Sequence, residues 1–231
     1  MRWDWIPEYA DKLISGLWLT IELLLVCATL GFLLAIPIGL VQVTGPRPLA
    51  LLARGFCTFI RGTPLLIQLW LIYYGLGSIF PSIDGIRDSF LWPYLRAALP
   101  YAIFAFTLSV AGYTGEVMRG AFAGVPKGEL EAARAMGMSP FTVLRRVWLP
   151  RAVQNVFPTL AGEFVLTLKA TPLAATITIH ELFSRSTEVR QDTFLTYEPL
   201  LLVAGIYIIL TGIIVVIFRW MENRIPKPAQ A

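Results

Sequence analysis

The chain has 231 residues, 56% of them hydrophobic and 15% charged, with a mean hydropathy of +0.67. That composition excludes an ordinary water-soluble domain and places the chain among membrane proteins. The pI of about 9.2 does not single out nucleic acid, because the basic residues are dispersed along the chain instead of forming one patch.

The chain opens with MRWDWIPEYADK, where Asp4, Glu8 and Asp11 outweigh Arg2 and Lys12. Without a basic n-region, no cleavable signal peptide is expected. Five apolar stretches follow, at about 14–43, 52–80, 97–122, 153–181 and 194–221. Each is long enough to cross a hydrocarbon core, which takes about 20 helical residues. The second begins ambiguously: LALLARGFCTFIRG (49–62) carries Arg54 and Arg61, so its first part lies in the interface before the chain turns in. Cys27 falls in the first stretch and Cys57 near the second, which makes neither a disulfide framework nor a metal site. Glu116 and Arg119, at i,i+3 near the end of the third stretch, read as a structural pair or a gate. One short echo joins Arg61-Gly-Thr-Pro-Leu65 to Lys169-Ala-Thr-Pro-Leu173, too brief to count as a repeat.

Basic residues concentrate in alternate segments. Arg47, Arg54 and Arg61 precede the second stretch, and Arg119, Lys127, Arg134, Arg145, Arg146 and Arg151 lie between the third and fourth. Arg219, Arg224 and Lys227 close the chain. The positive-inside rule therefore puts the N-terminus outside and the C-terminus in the cytoplasm.

The connection 124–152 is polar and basic, yet its residues favour two short helices. Lys127 to Met136 is rich in Ala, Leu, Glu and Arg, and Gly137 follows where a left-handed cap belongs. Ser139-Pro140 then supplies an N-cap and a first-turn proline for a second helix, expected to stop before Pro150. Such a loop suits docking into a groove on another protein or lying on anionic lipid, and its composition alone leaves both open.

A spaced pattern decides between them. Glu131-Ala132-Ala133, three residues, Gly137, nine residues, then Val147-Trp148-Leu149-Pro150 is similar to the EAA loop of ABC importer membrane subunits; only Val147 departs from it, conservatively. FIRGTPLLIQ (59–68) and AGYTGEVMRG (111–120) look like the polar amino-acid uptake branch, most like its histidine/lysine/arginine and octopine/nopaline permease subunits. The resemblance implies one all-α transmembrane permease domain over 1–231, five membrane helices in a type I ABC importer fold, and no catalysis in this chain. It implies that the loop is a coupling helix seated in a cytoplasmic ATPase, with Glu131, Ala132, Ala133 and Gly137 as its motif positions and Glu129, Leu130 and Arg134 beside them. Glu131 has an alternative partner in Arg134 at i,i+3. ATP and Mg would then be bound by the ATPase partner, and no cofactor is expected in this chain. Further implied partners are a second permease subunit, a homologue more than a copy, and an extracytoplasmic substrate-binding protein. The bacterial inner membrane is the expected location.

The fourth stretch holds two charges. If it enters from the cytoplasm near Val153, Glu163 lies on the order of 15 Å in, close to the membrane midplane. A charge there costs roughly 2.5–3.5 kcal/mol and calls for a cavity or a partner. Lys169 cannot be that partner, because six residues turn the helix by about 600° and leave the two some 120° apart. Instead Thr159, Glu163, Thr167 and Thr171 recur every fourth residue as one polar line. The line is either the wall of a hydrophilic path or a set of back-bonded threonines with a protonated Glu163. As a wall, it makes Glu163, Thr167 and Thr159 candidate substrate contacts, with Gln68 added from the second-stretch motif. Relatives that take basic amino acids have a glutamate in the corresponding span, and a desolvated carboxylate attracts ammonium or guanidinium. Histidine, arginine, lysine, ornithine, an opine and other polar amino acids all remain open at this point. Lys169 either braces the break at Thr171-Pro172 or holds a substrate carboxylate.

Two other classes compete. An intramembrane enzyme lacks support, since neither HExxH nor GxSxG occurs and His180 stands alone at a helix end. An ATP-independent transporter or channel has no use for a coupling loop.

Overall fold

The computed structural model describes residues 2–224, so Lys227, counted above toward the cytoplasmic side, lies outside the described residues. Five helical segments are long and apolar enough to cross a membrane: Ile6–Thr44, Leu65–Ser82, Ala98–Ala123, Pro140–Ile177 and Tyr197–Glu222. The architecture is all-helical, as the composition demands, because hydrocarbon leaves every backbone group to be satisfied within its own segment.

Helix α1 spans Ile6–Thr44, starting earlier than hydropathy alone indicates. Pro7 falls in its first turn, where the missing N–H is not needed. Trp5, Tyr9 and Leu13 extend it by burying against Leu182, Val189 and Val203. At 39 residues it is about 58 Å long, nearly twice the hydrocarbon thickness.

Helix α2, Arg47–Gly62, is separate from the span that follows. It buries Cys57 and Ile60 and leaves Leu51, Leu52 and Phe59 exposed, as an amphipathic flank should. Thr63 is extended (φ −113°, ψ 140°), the conformation a residue before proline prefers. Helix α3 starts at Leu65–Trp70 and continues through a π-helical turn at Leu71–Leu76 toward Ser82. Helix α4 (Ala98–Ala123) crosses back, and α5 (Lys127–Ala135) is the short loop helix.

The second loop helix does not stop at Pro150. One turn at Pro140–Val143 widens into a π-helical stretch, Leu144–Trp148, and runs directly into α6, Leu149–Ala170. In the widened turn Leu149 donates to Leu144 O, which makes room ahead of a proline that has no N–H to give. Helix α6 then ends in a 3-10 stretch, Thr171–Ile177, and Thr178 turns the chain with φ at +66°. Helices α7 (Leu182–Thr193) and α8 (Tyr197–Glu222) complete the chain.

The five-residue echo marks two breaks of like construction. Thr63 donates back to Phe59 O at 2.9 Å and Thr171 to Leu168 O at 2.8 Å, and in each case proline follows. Gln68 braces the first break: its amide nitrogen donates to Ile60 O (2.8 Å), Thr63 O (3.0 Å) and Thr63 Oγ1 (2.6 Å).

The tightest packing is α1 on α4. A Cβ at Gly31 would lie 2.5 Å from Val110 Cβ, and one at Gly39 2.8 Å from the Arg119 backbone nitrogen. Helix α2 approaches α4 just as closely, since a Cβ at Gly112 would meet Ile60 Cγ2 at 2.5 Å. Close backbone approach at small residues is how membrane helices gain packing where no hydrophobic force drives them together.

Candidate functional site

A cavity of about 300 Å³ opens between the first break, α4 and α6. Two helices each give it one stripe at i, i+3, i+4, i+7: Phe106, Ser109, Val110 and Tyr113 from α4, and Glu163, Leu166, Thr167 and Ala170 from α6. Thr63 and Leu65, exposed to it by the break, close a third side. The lining is mostly apolar, with one carboxylate and the hydroxyls of Thr63, Ser109, Tyr113 and Thr167. That is the pattern of a small-molecule site in which a few polar groups fix orientation.

Among the described residues the cavity therefore joins two of the four expected contacts, Glu163 and Thr167. Thr167 also donates back to Glu163 O at 2.8 Å, which leaves its lone pairs for the cavity. Thr159 is exposed and outside the lining, because the every-fourth-residue line curls away from the cavity within one turn. Gln68 is buried in the brace just described and is absent from the lining, so its place in the motif reflects the break. Lys169 is exposed and lies off the cavity face. Thr63, Ser109 and Tyr113 were not singled out from the sequence, although Thr63 and Tyr113 stand inside the two quoted motifs.

Beyond the second break lies a polar chain. Thr171 Oγ1 meets Tyr207 Oη at 3.1 Å, and Tyr207 donates to Glu181 Oε2 at 3.3 Å. Glu181 is fully buried and caps α7, accepting from the backbone nitrogens of Phe183 and Ser184 at 2.8 Å each. The adjoining Leu182 N donates to Thr20 Oγ1 on α1 at 3.1 Å. This chain ties the break above the cavity to α1, α7 and α8. His180 is exposed, its Nδ1 2.9 Å from Glu188 Oε1.

The loop is fixed from below. Leu130 and Ala133 are buried with Phe122, Val143, Val156 and Phe157. Glu129 takes Arg151 in a two-pronged pair, with Nε 2.8 Å from Oε2, and the guanidinium holds its carboxyl below the usual range. Trp148 Nε1 donates to Phe122 O at 2.9 Å. These contacts anchor α5 to its own chain: Leu130 and Ala133 are buried, and Glu129 is half-buried in its pair with Arg151. Glu131, Ala132 and Arg134 form the outward surface with Ala135 and Met136. Glu131 forms no ion pair with Arg134 among the described residues. Gly137 takes the left-handed cap position, at φ +80°. Glu116 and Arg119 are paired, Nε to Oε1 at 2.7 Å.

A five-span helical subunit with a cavity between its spanning helices and an anchored, outward-facing loop helix defines a membrane component of a transport complex. Residues 28–227 match the family model described as the binding-protein-dependent transport system inner membrane component, and the chain belongs to that family. It is 39% identical over 210 residues to the octopine transport system permease protein OccM of Rhizobium radiobacter, covering 91% of this chain and 84% of that one. It is 31% identical to the histidine/lysine/arginine/ornithine transport system permease protein HisM of Escherichia coli K12, covering 91% and 87%. Among solved structures, an amino acid ABC transporter with histidines aligns at a TM-score of 0.79 and 29% identity, over 97% of this chain and 100% of that one. The chain is thus an inner-membrane permease subunit of an ABC importer, and ATP hydrolysis is the work of a separate ATPase subunit.

Proposed function

We propose that this subunit carries cationic amino acids or arginine-derived opines inward, with Glu163 as the contact for the substrate's positive group. The observation that carries the reading is the single carboxylate on the lining of a mostly apolar cavity between spanning helices. In such surroundings an anionic oxygen binds ammonium or guanidinium far more strongly than in water and repels an acidic ligand. Thr63, Ser109, Tyr113 and Thr167 offer hydroxyls for the rest of the molecule. The relatives that transport octopine or histidine, lysine, arginine and ornithine support the same class.

The outward surface of α5, Glu131, Ala132 and Arg134, seats in the ATPase, which holds ATP and Mg. Closure of that partner then moves α5 and, through Leu130, Ala133 and the Glu129–Arg151 pair, the cytoplasmic end of α6. A second permease subunit, a homologue of this chain, covers the face of α6 that carries Asn155, Thr159, Gly162, Leu166 and Lys169. All five are exposed and they follow one helical stripe. A stripe with asparagine, threonine and lysine does not belong against lipid. A soluble binding protein delivers substrate at the outer face.

Glu163→Gln keeps the shape of the side chain and removes its charge. Uptake of radiolabelled arginine or octopine by the complete complex is expected to fall by at least about tenfold, with ATPase co-purification unchanged. Undiminished uptake of the cationic substrate in that variant refutes the reading.

A further inference from the structure

Arg61 is a charge beside the cavity, outside its lining, that the proposed function leaves without a task. It stands in the last turn of α2, two residues ahead of Thr63. Its Cζ lies 5.9 Å from the centre of the Tyr113 ring, and Tyr113, Thr63 and Glu163 line the same cavity. Among the described residues no carboxylate comes within ion-pair distance of Arg61, and Glu116 on α4 is taken by Arg119. The ring face and the carbonyl end of α2 hold the guanidinium in place without neutralising it.

A carboxylate in the membrane interior is costly when bare, and a transport site that grips its cation too well never releases it. We infer that Arg61 is the standing counter-charge to Glu163: it offsets the carboxylate in the empty cavity and weakens the hold on an incoming ammonium or guanidinium, so that the substrate can leave. This rests on the reading of Glu163 as the cation contact. Placing the counter-charge on α2 gives it a lever, because α2 rests on α4 at small residues, with Ile60 over Gly112 and Cys57 beside Gly115. A shift of α2 against α4 changes the distance from Arg61 to the cavity. Affinity for the cation then changes with the position of that helix.

The test is equilibrium binding of labelled arginine and of citrulline, its isostere with an uncharged side chain, to the purified complete complex. Arg61→Gln is expected to tighten arginine binding on the order of tenfold and to leave citrulline unchanged, while Arg61→Lys stays near wild type. Arg61→Met, of similar length and uncharged, repeats the test if the glutamine variant does not assemble. Unchanged or weaker arginine binding in the neutral variants, or equal shifts for both ligands, overturns the inference. Glu163→Gln separates the two claims: arginine affinity undiminished there overturns the reading of Glu163 itself. Lost arginine affinity there, with no tightening in Arg61→Gln, overturns the role of Arg61 alone.

Discussion

Glu181 is a carboxyl group with no exposed surface, and its surroundings account for it fully. Two backbone nitrogens and the Tyr207 hydroxyl supply its hydrogen bonds, so removing the side chain orphans the first turn of α7 and breaks the link to Thr171. Glu181→Ala is expected to lower stability by about 1–3 kcal/mol, read as a lower unfolding temperature of the purified subunit. Tyr207→Phe, which spares the cap, should cost less than half as much. The Glu129–Arg151 pair behaves differently because it is partly exposed. Its carboxyl is depressed, so its contribution is present at neutral pH and disappears as pH falls through that lowered value. Arg151→Gln should lower the unfolding temperature at neutral pH and flatten its fall on acidification, followed from about pH 7 down to about pH 3. At this scale Glu163 was legible in the sequence because a carboxylate in an apolar run needs a reason. Ser109 and Tyr113 were not, since hydroxyls in a helix reveal nothing of which face meets a cavity. That Gln68 and Thr159 lie off the cavity lining was not readable, because a motif and a four-residue period locate residues along a helix, not around its neighbours.

At the scale of elements, two short pieces do most to position the site. Helix α2 sits on α4 through Ile60 over Gly112, with no space for a side chain between them. Gly112→Ala should therefore push α2 outward at a cost of about 1–3 kcal/mol and displace Thr63 and Arg61 from the cavity. The expected sign is a loss of uptake together with a lower unfolding temperature. Helix α5 divides its alanines between two tasks. Ala132 is exposed and Ala133 is buried, so Ala132→Leu should abolish ATPase co-purification with the fold intact. Ala133→Leu should instead destabilise the subunit. The capping residues of this loop, Ser139 and Gly137, were readable from local chemistry. The continuation of the helix through Pro150 was not, because a π-helical turn relieves the proline only in the finished backbone.

As a whole, the molecule is one permease subunit of an ABC importer. Its five spans follow from composition and length, and the distribution of Lys and Arg predicts its orientation. What hydropathy cannot convey is which face each span presents. Helix α8 buries only Pro199 and Val203 and is free to meet lipid, whereas α6 leaves a polar stripe uncovered beside the cavity. The central claim is that charge at one carboxylate sets what passes. The most direct measurement is inhibition of labelled arginine uptake by unlabelled arginine, citrulline and glutamate, in vesicles holding the complete complex. For the wild type, arginine should compete at least about tenfold better than citrulline and glutamate should not compete. In Glu163→Gln the residual uptake should lose that preference. A ratio of arginine to citrulline that is the same in both proteins would contradict the account.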